Sequence, residues 1–206
     1  MSNKYDSHEL KASYGIGRNM GTQLFEQPFD GIDIDAVVDG LVDAFKRQPS
    51  PVSQQEMDAA FQHISQIIQA KQAEQSKGII EEGEKFLAEN ATKDGVTVTE
   101  SGLQYEVINE GSGEKPSATS TVRTHYHGTL IDGTVFDSSY ERGQPAEFAV
   151  NGVIPGWTEA LQMMTVGSKW KLSIPYQLAY GERGAGAAIG PYSTLVFDVE
   201  LLEIVG

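Results

Sequence analysis

Hydrophobic residues follow two different periods along the chain, and the change occurs near its midpoint. Up to about Asn90 they recur at the three- and four-residue spacing of amphipathic helices. From about Gly102 they alternate with polar residues, which is the period of a strand with one buried face. We therefore predict a helical domain at 1–94 and a sheet domain at 95–206, connected by a linker at 91–101 that is rich in Thr, Gly and acidic residues.

Three helices are predicted in the first domain. The first ends at Pro28, the second covers 33–46, and the third runs from about 53 to 91. Ser53 and Glu56, which lie three residues apart ahead of an apolar stripe, form the capping box that starts the third helix. At 1.5 Å per residue this helix would be about 58 Å long, and its polar middle is expected to be exposed to water.

The apolar stripes of these helices predict self-association. Two short helices and half of a long one provide too little chain to cover one another's apolar faces. The stripe of the first helix includes Gly17 and Gly21, and glycines on a packing face let another backbone approach closely. We therefore expect a homodimer formed through the N-terminal helices. A self-contained three-helix bundle is the alternative.

The alternating pattern of the second domain predicts an antiparallel sheet that wraps one short helix. Each strand has an apolar face for packing and a polar face for water. The helix follows Pro155 and carries Trp157, Ala160, Leu161 and Met164. The predicted fold class is α+β, an all-α domain followed by this sheet domain. Predicted inward positions are Val122, Tyr126 and Leu130, then Trp170, Leu172 and Ile174, then Leu195, Phe197, Val199 and Leu201, whereas Lys169, Lys171 and Ser173 are predicted to face water.

Charge and composition exclude several classes of protein. Lys and Arg total 15 against 29 Asp and Glu, and this net charge of -14 offers no surface for nucleic-acid phosphates. The chain has no cysteine, so disulfides, thiolate nucleophiles, zinc fingers and iron–sulfur clusters are excluded. No stretch approaches the roughly 20 apolar residues of a membrane-spanning helix. Because no secretory leader is visible either, we expect a cytoplasmic protein with no membrane partner.

Motifs for covalent or metal chemistry are missing from the second domain. It has no G-x-S-x-G, H-E-x-x-H or phosphate-loop pattern. His125 and His127 share one strand face, but two nitrogens without a third ligand make a poor zinc site, so we interpret both as exposed surface residues and expect no metal. Six aromatic residues fall on segments that can converge on the sheet and helix, either as core or as a binding pocket: Tyr126, Phe136, Phe148, Trp157, Tyr180 and Phe197.

Four stretches of the second domain carry a family resemblance. The sequence reads VRTHYHGTLIDGTVFDSS from 122, GVIPGW from 152, LAYGERG from 178 and TLVFDVEL from 194. In their order and spacing they strongly resemble the FKBP-type peptidyl-prolyl cis–trans isomerases, over about 102–205. In the first domain, SYGIGRNMG at 13–21 is similar to the dimerisation domain of the Mip-like bacterial subgroup of that family.

The resemblance implies a half-wrapped antiparallel sheet with a shallow apolar pocket beside the short helix. In such a pocket the proline ring would rest on Trp157, while the Ile154 N–H and the Tyr180 hydroxyl would bind substrate carbonyls. Asp137 would lie at the mouth, near Tyr126. The residues assigned in this way to catalysis are Tyr126, Phe136, Asp137, Trp157, Tyr180 and Phe197, and those assigned to substrate binding are Phe148, Val153, Ile154, Ile189 and Arg142.

The implied activity is the isomerisation of X–Pro bonds during protein folding, without a cofactor. Rotation about the C–N bond has a barrier of about 18–20 kcal/mol but makes and breaks no bond, so it needs neither a nucleophile nor a metal. Uncatalysed isomerisation is slow enough to limit folding. The implied partners are proline-containing peptides, unfolded chains held in the dimer cleft, and macrolide inhibitors.

Four positions depart from the family pattern. His127 replaces a Thr or Ser, Ala146 an aromatic residue and Leu178 a Tyr. Gly190 stands where a second proline is typical. Two other hypotheses remain beside the enzyme: an adaptor or chaperone that only holds proline-containing segments, and a purely structural dimer. Loss of a principal pocket residue would favour either of them, and the sequence shows no such loss.

Overall fold

The computed structural model describes residues 4–26, 29 and 31–205. The chain divides into two compact units between Gln72 and Ala73. This division falls inside a long helix, and the domain boundary predicted between residues 94 and 95 stays a prediction.

Local capping signals define the start of α2 (Ile34–Lys46) in the first unit. Asp33 caps the second helix, where its Oδ1 accepts hydrogen bonds from the N–H groups of Asp35 at 2.9 Å and Ala36 at 3.0 Å. The first helix ends two residues before Pro28, which lies outside the described residues. The helices are α1 (His8–Glu26), α2 (Ile34–Lys46) and α3 (Gln54–Asn90), of which only the beginning of α3 belongs to this unit.

α3 starts at the capping box that the sequence predicts. The Glu56 N–H donates to the Ser53 hydroxyl at 3.3 Å, and the Ser53 N–H donates to a Glu56 carboxylate oxygen at 2.9 Å. Two backbone donors at the helix start are thereby satisfied. The helix continues for 37 residues, so the predicted long stalk helix is confirmed.

The apolar faces of α1 and α2 are not covered within the first unit, among the residues that the structure describes. Neither α1 nor α2 contains a buried residue. Phe25, Phe45 and Phe61 are 83%, 90% and 68% exposed. Apolar surface left in water forgoes about 25 cal/mol of stabilisation per Å². The described part of the chain therefore does not form the self-contained bundle that was the alternative to self-association.

The second unit is built on an antiparallel sheet of seven strands among the described residues. The strands are β1 (Val96–Val98), β2 (Gln104–Asn109), β3 (Thr121–Leu130), β4 (Val135–Ser138), β5 (Ala146–Ala149), β6 (Lys169–Ile174) and β7 (Leu195–Ile204). Their hydrogen-bonded order is β1-β2-β6-β7-β3-β4, and β5 pairs with β3 as well. One helix, α4 (Pro155–Met163), packs its buried residues into the same core as the sheet. The predicted α+β fold class is confirmed.

The predicted inward positions of β3, β6 and β7 are buried, except that Leu130 is only half-buried. Two details of the sequence prediction are wrong. β1 lies inside the predicted linker, where it pairs with β2. Ser173 was expected to face water but is buried, because the Asn90 side chain at the end of α3 donates a hydrogen bond to its hydroxyl at 3.3 Å.

The last turns of α3 pack against the sheet within the second unit. Asn90 Nδ2 also donates to Gln104 Oε1 at 2.9 Å, and Gln104 Nε2 donates to the Leu87 carbonyl at 2.8 Å. One turn earlier, Gly83 is the buried residue of the helix. A Cβ at Gly83 would lie 2.5 Å from Thr194 Oγ1 and 3.3 Å from Thr194 Cβ. The absence of a side chain is what lets the helix approach Thr194 so closely.

We expect Gly83→Ala to lower the urea midpoint of unfolding, although alanine favours helix by up to about 1 kcal/mol. Overpacking against Thr194 costs about 1–3 kcal/mol, which exceeds that gain. Gly78→Ala is the matched control, because a Cβ there meets nothing within 4 Å and only the helix gain remains. Equal stabilisation by both substitutions would show that α3 does not pack closely on Thr194.

Candidate active site

A cavity of about 550 Å³ lies where β3, β4, β5 and β7 meet α4 and the loop at 180–189. Its size is in the range of sites that bind small ligands or short peptide segments. Its walls are mainly aromatic and aliphatic. The lining residues are Tyr126, Phe136, Asp137, Phe148, Gly152, Val153, Ile154, Trp157, Tyr180, Ala185, Ala188, Ile189 and Phe197.

Trp157, in the first turn of α4, forms the centre of an aromatic box. Its ring lies edge-on to Tyr126, Phe148 and Phe197, with centroid distances of 5.4, 5.6 and 5.3 Å. Phe136 packs edge-on against Phe197 at 5.4 Å. Edge-to-face contacts of this kind stabilise aromatic pairs by about 0.5–1.5 kcal/mol beyond area burial. The rings therefore stabilise one another's orientations and line the cavity with apolar surface.

Gly128 on β3 provides the space for two of these rings. In the strand register it pairs with Asp137 on β4 and with Phe197 on β7. A Cβ at Gly128 would lie 2.6 Å from Phe136 Cε2 and 2.8 Å from Phe197 Cε1. Carbon atoms pack at about 3.5–4.0 Å. The positions of Phe136 and Phe197 thus depend on a residue that has no side chain.

A polar group lies on one side of the box. The Tyr126 hydroxyl donates to the Asp137 carboxylate, and the Arg142 guanidinium donates to the same carboxylate and, at 2.8 Å, to the Tyr126 hydroxyl oxygen. Burial alone would raise the pKa of Asp137, but the hydrogen bonds from Tyr126 and Arg142 outweigh it and lower that pKa. Burial and the bond to Asp137 raise the pKa of Tyr126. At neutral pH the group therefore consists of a carboxylate, a neutral phenol and a guanidinium.

The lowered pKa of Asp137 predicts an acid-dependent contribution to stability. A carboxyl group whose pKa is lower when folded than unfolded, where it is about 3.9, stabilises fully above that value and loses its contribution as pH falls through the folded pKa. We expect Asp137→Asn to destabilise at pH 7 by less than about 1 kcal/mol, because the pair is partly exposed. In urea titrations the difference in free energy of unfolding between the variant and wild type should disappear below pH 4. A gap that stays constant down to pH 2 would contradict the assignment.

The structure brings nearly all of the predicted site residues together. Every residue assigned to catalysis from the sequence lines the cavity. So do all of those assigned to substrate binding except Arg142, which is exposed and contacts the lining residues Asp137 and Tyr126 through hydrogen bonds. The individual role of each residue stays a prediction.

Sequence reasoning missed three lining residues, namely Gly152, Ala185 and Ala188. Small side chains have no hydrophobic periodicity and carry no reactive group, so nothing in their pattern identifies them. Ala185 and Ile189 bond to each other through their backbones, with the Ala185 N–H donating to the Ile189 carbonyl at 2.8 Å. The sequence indicates only that Ala185 and Ala188 lie in a tight loop, because glycines surround them.

The four departures from the family pattern leave the cavity wall intact. None of His127, Ala146, Leu178 and Gly190 is among the lining residues. Ala146 and Leu178 pack against the core from outside the cavity. Gly190 directly follows Ile189, so it can act on the wall only through the loop backbone.

The interpretation of His125 and His127 as exposed surface residues is wrong, because both are half-buried. The His125 ring stacks on Tyr140 with a centroid distance of 4.6 Å and places Nδ1 2.9 Å from Ser139 Oγ. Neither His125 nor His127 belongs to a group of three or more potential metal ligands in the described part of the chain. Among the described helices none is long and apolar enough to cross a membrane.

Comparison with known proteins matches both halves of the chain. The family model for the FKBP-type peptidyl-prolyl cis–trans isomerase matches residues 112–202. The model for the domain amino-terminal to this isomerase matches residues 9–107. Together with the aromatic cavity, these matches define the class of protein.

Individual relatives match over almost the whole chain. The FKBP-type 22 kDa peptidyl-prolyl cis–trans isomerase of Escherichia coli (strain K12) is 54% identical over 200 residues, which are 97% of each protein. The outer membrane protein MIP of Legionella longbeachae is 41% identical over 94% of this chain and 84% of its own length. The crystal structure of FkpA from Escherichia coli superposes with a TM-score of 0.72 at 40% identity, over 97% of this chain and 98% of that one.

The chain therefore belongs to the FKBP-type peptidyl-prolyl cis–trans isomerase family. It is an enzyme of that type, with the helical N-terminal domain that the second family model describes. The resemblance to this family and to its Mip-like subgroup, inferred from four short strings and a helix motif, is confirmed.

Proposed function

We propose that the aromatic cavity isomerises X–Pro bonds of folding chains by binding the twisted imide more tightly than either planar form. Preferential binding of the rotated state lowers the barrier without any covalent step. The observation that carries the proposal is the box of rings around Trp157, with the polar group formed by Tyr126, Asp137 and Arg142 beside it. Apolar walls also remove water that stabilises the polar planar amide.

Each part of the cavity has a proposed role. Trp157, only 4% exposed, is the floor that receives the proline ring. The Ile154 N–H, just before α4, and the Tyr180 hydroxyl, on a side chain that is 42% exposed, bind substrate carbonyls at the rim. Asp137, held by its two partners, faces the rotating imide from the side.

The test is the cis-to-trans rate of a short Leu-Pro peptide with catalytic amounts of the full chain, with and without a macrolide. We expect acceleration that the macrolide suppresses, because both ligands would occupy the same cavity. Absence of acceleration by folded protein would favour the adaptor hypothesis. Acceleration that a saturating macrolide leaves unchanged would place catalysis outside the cavity.

We further propose that the chain is a homodimer in which α1 and α2 of one copy cover those of the other. The support is the uncovered apolar surface of both helices, including Val38, Leu41 and Phe45 on one face of α2. Introducing Val38→Glu with Leu41→Glu should give a monomer by sedimentation. Asp43→Ala, on the opposite face of α2, is the control and should leave the dimer intact. A wild-type monomer would refute the proposal.

Chaperone-like binding of unfolded chains in the dimer cleft is the second part of this proposal. The monomeric double variant should retain its rate on a short peptide and lose activity on a refolding protein limited by proline isomerisation. An equal loss on both substrates would rule out such a division between the two units. A cytoplasmic location also stays a proposal, to be tested by cell fractionation.

A further inference from the structure

β3 has a gap in its pairing at the residue that points into the cavity. On the edge facing away from β7, β5 pairs with β3 from Thr121 to Thr124, and β4 pairs with it from His127 to Thr129. Between these two segments, Tyr126 has no strand partner on that edge. Because buried backbone donors and acceptors must be satisfied, another group has to bind the peptide groups of Tyr126.

Ser139, the first residue after β4, fills this gap. The Tyr126 N–H donates to Ser139 Oγ at 2.7 Å, and the Ser139 N–H donates to the Tyr126 carbonyl at 2.9 Å. Ser139 is fully buried. A side-chain hydroxyl thus takes the place of the missing strand carbonyl, and both backbone groups of Tyr126 are bound by one residue.

The His125 ring is a second hydrogen-bond partner of the Ser139 hydroxyl. Because Ser139 Oγ already accepts from Tyr126, its own proton is free to be donated. His125 Nδ1 lies 2.9 Å away, closer than the Tyr126 carbonyl at 3.2 Å. The imidazole ring is itself fixed by its stack on Tyr140, whose hydroxyl donates to Glu200 at 2.8 Å. The serine hydroxyl is therefore bound by side-chain and backbone partners of two consecutive residues, His125 and Tyr126.

We propose that Ser139 is a positioning residue for catalysis, which fixes Tyr126 opposite Asp137, and that His125 orients its hydroxyl. Asp137 and Arg142, the two partners of the Tyr126 phenol, lie two residues before and three residues after Ser139. Ser139 thus fixes the distance between the strand that carries the phenol and the segment that carries its partners. This inference rests on the proposed function, in which Tyr126 and Asp137 act on the bound imide.

Ser139→Ala in the full chain tests the proposal. We expect kcat on a short X–Pro peptide to fall about tenfold, because small displacements of catalytic groups are costly. KM should change by less than about twofold, because the apolar walls that bind proline are untouched. Ser139→Thr, which keeps the hydroxyl, should restore most of the rate.

Ser138→Ala is the matched control. The Ser138 hydroxyl is also buried, but it accepts from the Glu141 N–H at 3.3 Å and does not contact Tyr126. Its removal should leave kcat within about twofold of wild type. Equal losses at Ser138 and Ser139, or a normal kcat for Ser139→Ala, would overturn the proposal.

A second variant keeps the test valid if Ser139→Ala fails to fold. His125→Phe retains a ring against Tyr140 and removes the nearer side-chain partner of the serine hydroxyl. We expect kcat to fall by about threefold with KM unchanged. Where Ser139→Ala folds, the double variant should have the kcat of Ser139→Ala alone, because both changes act through the same hydroxyl. An unchanged kcat would overturn the role of His125. If wild-type protein gives no acceleration, the proposed function itself fails, which is a separate result.

Discussion

Gly128→Ala should lower kcat/KM for a short X–Pro peptide by about a hundredfold or more, as expected when catalytic walls shift by about 1 Å. The new Cβ would lie 2.6 Å from Phe136 Cε2 and 2.8 Å from Phe197 Cε1. Both rings are carried by strands that pair directly with β3, so they have to rotate or move into the cavity. The strain should also lower the free energy of unfolding by about 1–3 kcal/mol.

Isomerase assays and urea titrations on the same preparation separate these two effects. Gly78→Ala, where a Cβ meets nothing within 4 Å, is the control and should keep full activity. A folded Gly128→Ala variant with normal activity would show that the positions of Phe136 and Phe197 do not matter for catalysis.

Trp157→Ala should abolish binding of proline-containing peptides and macrolides, because it removes the floor of the cavity. Truncating a buried Trp costs about 3–5 kcal/mol of stability. Trp157→Phe, which keeps an aromatic ring, should give intermediate values of both affinity and stability. Sedimentation should show an unchanged oligomeric state, because Trp157 lies in the second unit and the proposed dimer uses the helices of the first.

Trp170→Ala is the matched control for the loss of a buried indole. Trp170 is 7% exposed and stacks on Tyr105 at 4.3 Å, outside the cavity lining. It should lose a similar amount of stability but keep its ligand affinity, as measured by calorimetric titration. If both alanine variants lose affinity equally, the loss reflects general destabilisation and not the cavity floor. A monomeric Trp157→Ala protein would contradict the assignment of dimerisation to the helices.

The parts of the fold that sequence predicts well are those with local signals. The capping box at Ser53 involves residues three apart, and the alternation in β7 extends over ten residues, so both leave a clear pattern. β1 has three residues, too few to show a period, and it exists because β2 provides a partner. Ser173 is buried by Asn90, which is 83 positions away and whose approach no local pattern encodes.

The candidate site likewise has residues that a local sequence pattern identifies and residues whose role depends on distant parts of the chain. The aromatic residues could be found because they belong to recognisable strings, whereas Ala185 and Ala188 have no chemistry of their own. Gly128 is part of one of those strings, but its spatial role follows only from Phe136 and Phe197, which come from two other strands. A gap in strand pairing, such as the one that Ser139 fills, is likewise a property of three strands together and cannot be read from one.

Because Trp157 forms the cavity floor, its intrinsic fluorescence can report ligand binding. The chain has two tryptophans, and only Trp157 lines the cavity. Replacing Trp170 by Phe would keep a ring against Tyr105 and leave a single indole, whose emission then arises entirely from the floor. Occupancy by clients or inhibitors could be followed by fluorescence in real time, without attaching a label to either molecule.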